Sequence, residues 1–298
     1  PGLLKDLYYF DGRQYSDAEV VEAFTPVAER IDAAWETVTG ETVSYREPNG
    51  GEAIDNQSIA EWLDGAECSG WFRKLLDVAY TTEYGLETGD QSAWNLLMMI
   101  DTEPDLFKIF GESDERYHVR GGNDLIPRRL AERLAGRIET GARLEAVAEK
   151  SSGDFLLTFR RGGSTFEVAA ERVVLALPFT LLRDVRIDVS LPAVKRQAIA
   201  ELGYGTNAKL MVGFSERIWR EPRGAGGREP GSNGSVLTDL PFQLTWETTR
   251  MQAGKAGILT CFTGGQRGVE LGQGTPAAQS ERFARELDHL LAGERGLA

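Results

Sequence analysis

The stretch from Tyr117 to Pro178 constrains the fold of this chain most. It opens on Tyr117-His118-Val119-Arg120-Gly121-Gly122-Asn123, and Leu125, Ile126, Leu130 and Leu134 then fall on one side of a helix expected over 124–135. A short strand is expected near Ile138, a second through Arg143-Leu144-Glu145-Ala146-Val147, and a hairpin on either side of Gly162-Gly163. The stretch closes on Arg172-Val173-Val174-Leu175-Ala176-Leu177-Pro178. So apolar a run reads as a strand buried on both faces, ended by Pro178, which has no N–H to give. Strands alternating with helices imply an α/β fold.

The flanks read differently. Residues 16–110 form a run of helices. Ser16-Asp17-Ala18-Glu19 and Ser58-Ile59-Ala60-Glu61 are capping boxes that satisfy free N–H groups at helix starts. Val20, Phe24, Val27, Ile31 and Trp35 share one helix face, with Pro26 expected to kink the helix or to mark a second start. Beyond the central stretch, Leu191-Pro192 begins a helix to about Leu202, and 208–214 is a strand. The Gly- and Arg-rich stretch 220–235 reads as an exposed loop. Short strands are expected near 236–238, 243–246 and 257–262. Thr275-Pro276 is an N-cap followed by Pro at the first helical position. The last helix turns Phe283, Leu287, Leu290 and Leu291 inward.

With 298 residues the chain has room for one large domain or two modest ones. A net charge of −13 argues against nucleic acid and against an anionic membrane surface as partners. No apolar run reaches the roughly 18 residues of a membrane-spanning helix. Two cysteines, Cys68 and Cys261, and two histidines, His118 and His289, make no metal-type pattern, so no metal is expected. The chain begins at Pro1 and carries no signal-like segment. It reads as a cytoplasmic piece of a longer protein.

The order Gly121-Gly122, helix, strand at Leu144, and strand ending in Ala176-Leu177-Pro178 resembles the flavin-dependent amine oxidases, a family that includes monoamine, polyamine and L-amino-acid oxidases. The likeness continues through Leu202-Gly203-Tyr204-Gly205-Thr206-Asn207-Ala208-Lys209 and Phe214…Trp219. It implies FAD as cofactor, an amine or amino-acid substrate, and oxygen as the second reactant, and it leaves room for a homodimer. The expected chemistry is oxidation of a C–N bond to an imine with release of hydrogen peroxide, for which the cofactor supplies the redox step. Three parts are implied. Residues 1–115 would be the helical portion of a substrate domain, 116–190 part of an FAD-binding domain, and 191–298 the substrate domain's mixed sheet. A Gly-x-Gly-x-x-Gly dinucleotide cradle is absent and expected upstream. The alternatives are a related FAD-dependent desaturase or protoporphyrinogen-type oxidase, or a scaffold that has lost its cofactor.

Candidate residues follow from pattern and resemblance together. In Ala208-Lys209-Leu210-Met211-Val212-Gly213-Phe214 one face is Ala, Leu, Val and Phe, and the other is Lys, Met and Gly. By pattern alone Lys209 is either a surface lysine on an edge strand or one pointed into a cavity. The resemblance gives it a role, holding a water against flavin N5. It also implies adenine contacts from the Leu144 backbone, close cofactor approach at Gly121 and Gly122, and a position beside the flavin for Ala176, Leu177 and Pro178. Trp246 and Phe242 are the expected aromatic walls for substrate, with Trp219 a further aromatic candidate.

Overall fold

The computed structural model describes residues 4–40, 42–103, 107–111, 117–222 and 231–293. Strands β1 (Lys5–Phe10) and β2 (Arg13–Tyr15) form a hairpin. Its turn residues Asp11 and Gly12 have φ of 53° and 77°, the left-handed pair that a two-residue hairpin turn needs. Helices α1 (Asp17–Trp35), α2 (Glu52–Asp55), α3 (Ile59–Gly65), α4 (Gly70–Tyr84) and α5 (Trp94–Leu97) follow. Both capping boxes form. Ser16 N donates to Glu19 at 2.8 Å and Ser58 N to Glu61 at 2.8 Å, while each Ser Oγ accepts from the backbone N–H three residues on. Pro26 starts no second helix. It sits on the exposed side of a continuous α1, where solvent can take the carbonyl that its ring leaves free.

Helix α6 (Leu125–Arg133) opens the middle of the chain. Next come β3 (Arg143–Glu149), β4 (Phe155–Arg161), β5 (Ser164–Ala170), α7 (Phe179–Leu182), β6 (Arg186–Asp188) and α8 (Ala193–Glu201). The remainder comprises β7 (Ala208–Phe214), β8 (Ser232–Thr238), β9 (Leu244–Glu247), β10 (Gly257–Thr263), α9 (Gly265–Leu271) and α10 (Pro276–Gly293). The chain divides into two units: Pro1–Ser113 with Gly205–Ala298, and Asp114–Tyr204. Helix α8 therefore belongs with the middle of the chain, and the boundary falls after Tyr204 rather than near 190.

The first unit is built on a six-stranded mixed sheet in the order β2-β1-β8-β9-β10-β7, with β1 parallel to β8 and the other pairs antiparallel. One face carries Tyr8, Phe10, Leu237 and Leu244 into a core with Phe24, Ile31, Phe72, Leu75 and Tyr80 of α1 and α4. The other carries Leu7, Val236, Leu259 and Cys261 against Phe283, Leu287, Leu290 and Leu291 of α10. The strand period of two and the helix period near 3.6 thus divide each element between core and water as the apolar patterns predict. Both cysteines are buried, and burial pushes their thiols up to about 11 for Cys68 and about 12 for Cys261.

The second unit holds a four-stranded sheet in the order β5-β4-β3-β6. Here three sequence expectations fail. No strand forms near Ile138, and α6 is shorter than 124–135. The run 172–177 pairs with no strand, and Val174 is 90% exposed. An apolar run buries both faces only where neighbouring strands and covering layers exist, and β6 takes the edge of β3 instead. In the first unit the loop expected over 220–235 is cut short because β8 starts at Ser232, and residues 223–230 lie outside the described residues.

Candidate functional site

Lys209 lies in β7, at the edge of the six-stranded sheet. Phe262 of β10 is its partner across the ladder, and Trp246 of β9 is one strand further in. The Lys209 Nζ stands 4.7 Å from the centroid of the Phe262 ring and 5.3 Å from that of Trp246. The two rings meet edge to face with centroids 5.5 Å apart. An ammonium over two ring faces is attracted by both quadrupoles, by about 0.5–1 kcal/mol each at an exposed site. The residue is solvent-exposed, as are Met211 and Gly213 on the same side of β7. Both readings of Lys209 thus hold in part: the strand is an edge with an open face, and the charge is nonetheless seated on an aromatic floor.

That floor continues. Thr260 pairs with both Met211 and Trp246, and its hydroxyl lies 2.5 Å from that of Thr248. Lys209, Phe262, Trp246, Met211, Thr260 and Thr248 therefore share one side of the sheet. The surface they make is flat, mostly apolar and topped by one cation.

Backbone contacts at Gly205 fix where β7 begins. A Cβ there would lie 2.1 Å from the carbonyl oxygen of Tyr84, so no other residue allows the two segments to come so close. The next residues fasten the junction. Thr206 N donates to Gly85 O at 2.8 Å, Thr206 Oγ1 to Gly265 O at 2.7 Å, and Asn207 Nδ2 to Thr82 O at 2.6 Å. The spacing Gly-x-x-x-Lys accordingly has a mechanical meaning. The glycine pins the chain to the end of α4, and four residues later, on the open face, stands Lys209.

On the opposite side of β9, Glu247 is fully buried. Its carboxylate accepts from the Trp219 indole N–H at 2.9 Å and from Arg220 at 2.7 and 2.8 Å, and Arg217 Nε lies 2.9 Å away without hydrogen-bond geometry. Burial works to raise its pKa, but the Trp219, Arg220 and Arg217 partners outweigh that and hold it below the usual carboxylate range. The sequence did not single out this cluster, because residues 217–220 and 247 meet only through the tertiary fold. Trp219 is thereby a core residue. Phe242 is one too: it is 2% exposed and packs edge to face on Phe283 of α10, on the side of the sheet away from Lys209. The aromatic partner of Trp246 on the Lys209 side is instead Phe262. Its only sequence signal was the alternation of Ile258, Thr260 and Phe262, which gives a face but not its neighbour.

The candidates of the second unit lie apart within it. Leu144 is in β3, paired to Phe159 of β4. On its other edge β3 is covered by β6 only at Ala146–Ala148, so the backbone of 143–145 is open there. Gly121 and Gly122 precede α6 with φ of 93° and 111°, values that disfavour any side chain. Ala176 and Leu177 are exposed, and Pro178 caps the four-residue helix α7. Among the described residues no group of three or more His, Cys, Asp or Glu side chains is placed to hold a metal ion, and no helix is long and apolar enough to cross a membrane.

A lysine seated on aromatic rings at an open sheet face, beside a separate unit with an open strand edge, is a scaffold for a flat redox cofactor. Residues 5–295 match the family model of flavin containing amine oxidoreductases, and the chain belongs to that family. Among curated proteins it is 22% identical over 255 residues to an L-amino acid dehydrogenase of Synechocystis, covering 85% of this chain and 49% of that one. It is 26% identical over 160 residues to the putative L-amino-acid oxidase YobN of Bacillus subtilis, covering 52% and 32%. Among solved structures, a putrescine oxidase double mutant superposes with a TM-score of 0.73 at 17% identity, covering 99% of this chain and 66% of that one. The cyclohexylamine oxidase of Brevibacterium oxydans gives 0.66 at 18%, covering 96% and 62%. The chain thus spans from a third to a half of these curated relatives' length.

The cofactor of this family is FAD, and the residues present fit portions of it. The open backbone at 143–145 offers N–H and C=O groups to the edge of a heteroaromatic ring. The floor under Lys209 offers a flat apolar surface with a proton-bearing cation above it.

Proposed function

We propose that this chain carries the substrate-side surface and part of the cofactor-binding unit of an FAD-dependent amine oxidase. The overall reaction converts an amine or amino acid, water and oxygen into the carbonyl product, ammonia and hydrogen peroxide, through an imine that water hydrolyses. FAD supplies the redox chemistry, accepting a hydride from the C–N carbon and passing two electrons to oxygen. The protein residues place the reactants and handle protons. The observation that carries the reading is the Lys209 ammonium over Phe262 and Trp246, four residues after the glycine that fixes β7. A lysine held there keeps a proton at Nζ within reach of a water or substrate on the open face, while the rings present a surface to a planar group.

Lys209→Met keeps the length of the side chain and removes its charge. In the FAD-loaded protein it should lower turnover by about 10²–10⁴-fold, the usual contribution of a positioned proton-transfer group. The melting temperature should barely move, because the residue is exposed. Peroxide release across amines, amino acids and polyamines, with stopped-flow reduction and reoxidation of the flavin, measures this. Rates within about a factor of two of the parent would remove Lys209 from the mechanism, and the absence of any oxidised amine would remove the activity.

A further inference from the structure

The second unit leaves most of its apolar surface uncovered. Among its described residues the buried apolar side chains are Ala146, Val147, Leu157 and Leu182. Against these stand large apolar side chains in the open. Ile126, Leu130 and Leu134 are spaced along one side of α6 at 56%, 54% and 45% exposure. Val174, Leu177 and Leu181 stand at 90%, 37% and 54%. Helix α6 buries none of its residues. Isolated exposed apolar residues are ordinary, but two contiguous sets on one unit are the mark of an interaction surface.

The backbone points the same way. Residues 172–177 hold five apolar side chains in succession, Val173 to Leu177, yet they pair with no strand. No backbone hydrogen bond to another described residue involves them. Unpaired N–H and C=O groups flanked by apolar side chains are a template for strand addition. A run of this composition is stable when paired and covered on both faces.

We infer that residues 172–177 and the apolar side of α6 form a docking surface for further polypeptide of the same protein. That polypeptide supplies a β-strand alongside 172–177 and apolar side chains that cover Val174 and the Ile126–Leu130–Leu134 row. The comparisons fix this choice of occupant. The solved putrescine oxidase matches 99% of this chain with only 66% of its own length, which leaves about a third of such a chain for the covering layer. The proposal concerns assembly and is independent of the oxidase activity.

The test compares residues 1–298 alone with the same residues inside their complete reading frame. Amide hydrogen exchange is followed by mass spectrometry over 172–177 and over α6. The expected result is fast exchange in 172–177 for the isolated chain and protection by a factor of a hundred or more in the complete protein. Val174→Asp adds a second readout. It should leave the melting midpoint of the isolated chain unchanged and lower that of the complete protein by several degrees. The proposal is overturned if 172–177 exchanges equally fast in both. It is also overturned if the isolated chain already protects this run, through a second copy or through its own first unit, or if the reading frame adds no residues to the 298.

Discussion

At the scale of single residues, the sharpest energetic commitment in this protein is Glu247. A carboxylate with no exposed surface is tolerated because Trp219 and Arg220 donate to it and Arg217 lies beside it. Removing one member of a buried charged set leaves the others unpaired, which typically costs about 3–5 kcal/mol. Glu247→Gln keeps the shape and loses the charge, so urea unfolding should show a loss of that order, and a change below about 1 kcal/mol would show that solvent reaches the cluster. The pH dependence follows from the lowered pKa. A carboxyl that is more acidic folded than unfolded binds fewer protons in the native state. Its contribution is complete above the ordinary carboxylate value of about 4.5 and is lost as pH falls through the folded value. Stability of the parent should therefore drop on acidification below about pH 4.5, and Glu247→Gln should flatten that part of the profile.

At the scale of elements, the start of β7 determines where Lys209 stands. The strand enters through Gly205, against the last turn of α4, and Thr206 and Asn207 bond to the carbonyls of Gly85, Gly265 and Thr82. Gly205→Ala would place a methyl 2.1 Å from the Tyr84 carbonyl oxygen, and backbone on both sides leaves no flexible side chain to yield. Overpacking of this kind costs about 1–3 kcal/mol. The expected outcome is a loss of stability in that range together with a fall in turnover greater than the stability change explains, because β7 and its lysine move together. A Gly205→Ala protein with parental stability and rate would show that the junction is slack. In the second unit α6 has the right period and no partner, which separates the formation of an element from its burial. Period, together with local side-chain contacts such as the Asp124–Arg128 ion pair at 3.0 Å, suits the sequence to a helix, while most helix stability in proteins comes from packing the apolar face.

At the scale of the whole molecule, the two units differ sharply in how much core they own. The first has two extensive clusters, one on each side of its sheet. The second buries Ala146, Val147, Leu157 and Leu182 among its described residues. Buried apolar area is the main favourable term in folding, so the 298-residue chain should not unfold in one step. Hydrogen exchange in increasing urea should release amides of β4 and β5 well before those of α4 and β10. A single transition seen alike by both sets of amides would overturn this.

What the sequence determined by itself was local and periodic. The two capping boxes, the α1 face through Val20, Phe24, Val27 and Ile31, the inward row of α10, and strands β7 and β10 all appear where their patterns put them, because caps and periods depend on residues within about four of each other. The family was legible too, through short motifs such as Gly205-x-x-x-Lys209 and Ala176-Leu177-Pro178. What only the tertiary structure decided were meetings between distant residues. Phe262 rather than Phe242 lies beside Lys209 and Trp246, because strand pairing sets which side chains become neighbours and strand alternation sends Phe242 to the α10 side. The Glu247 cluster arises the same way, across about thirty residues of chain. The run 172–177 shows the converse limit. Its composition announces a buried strand, but burial is a property of what surrounds a segment, and no described residue supplies that partner.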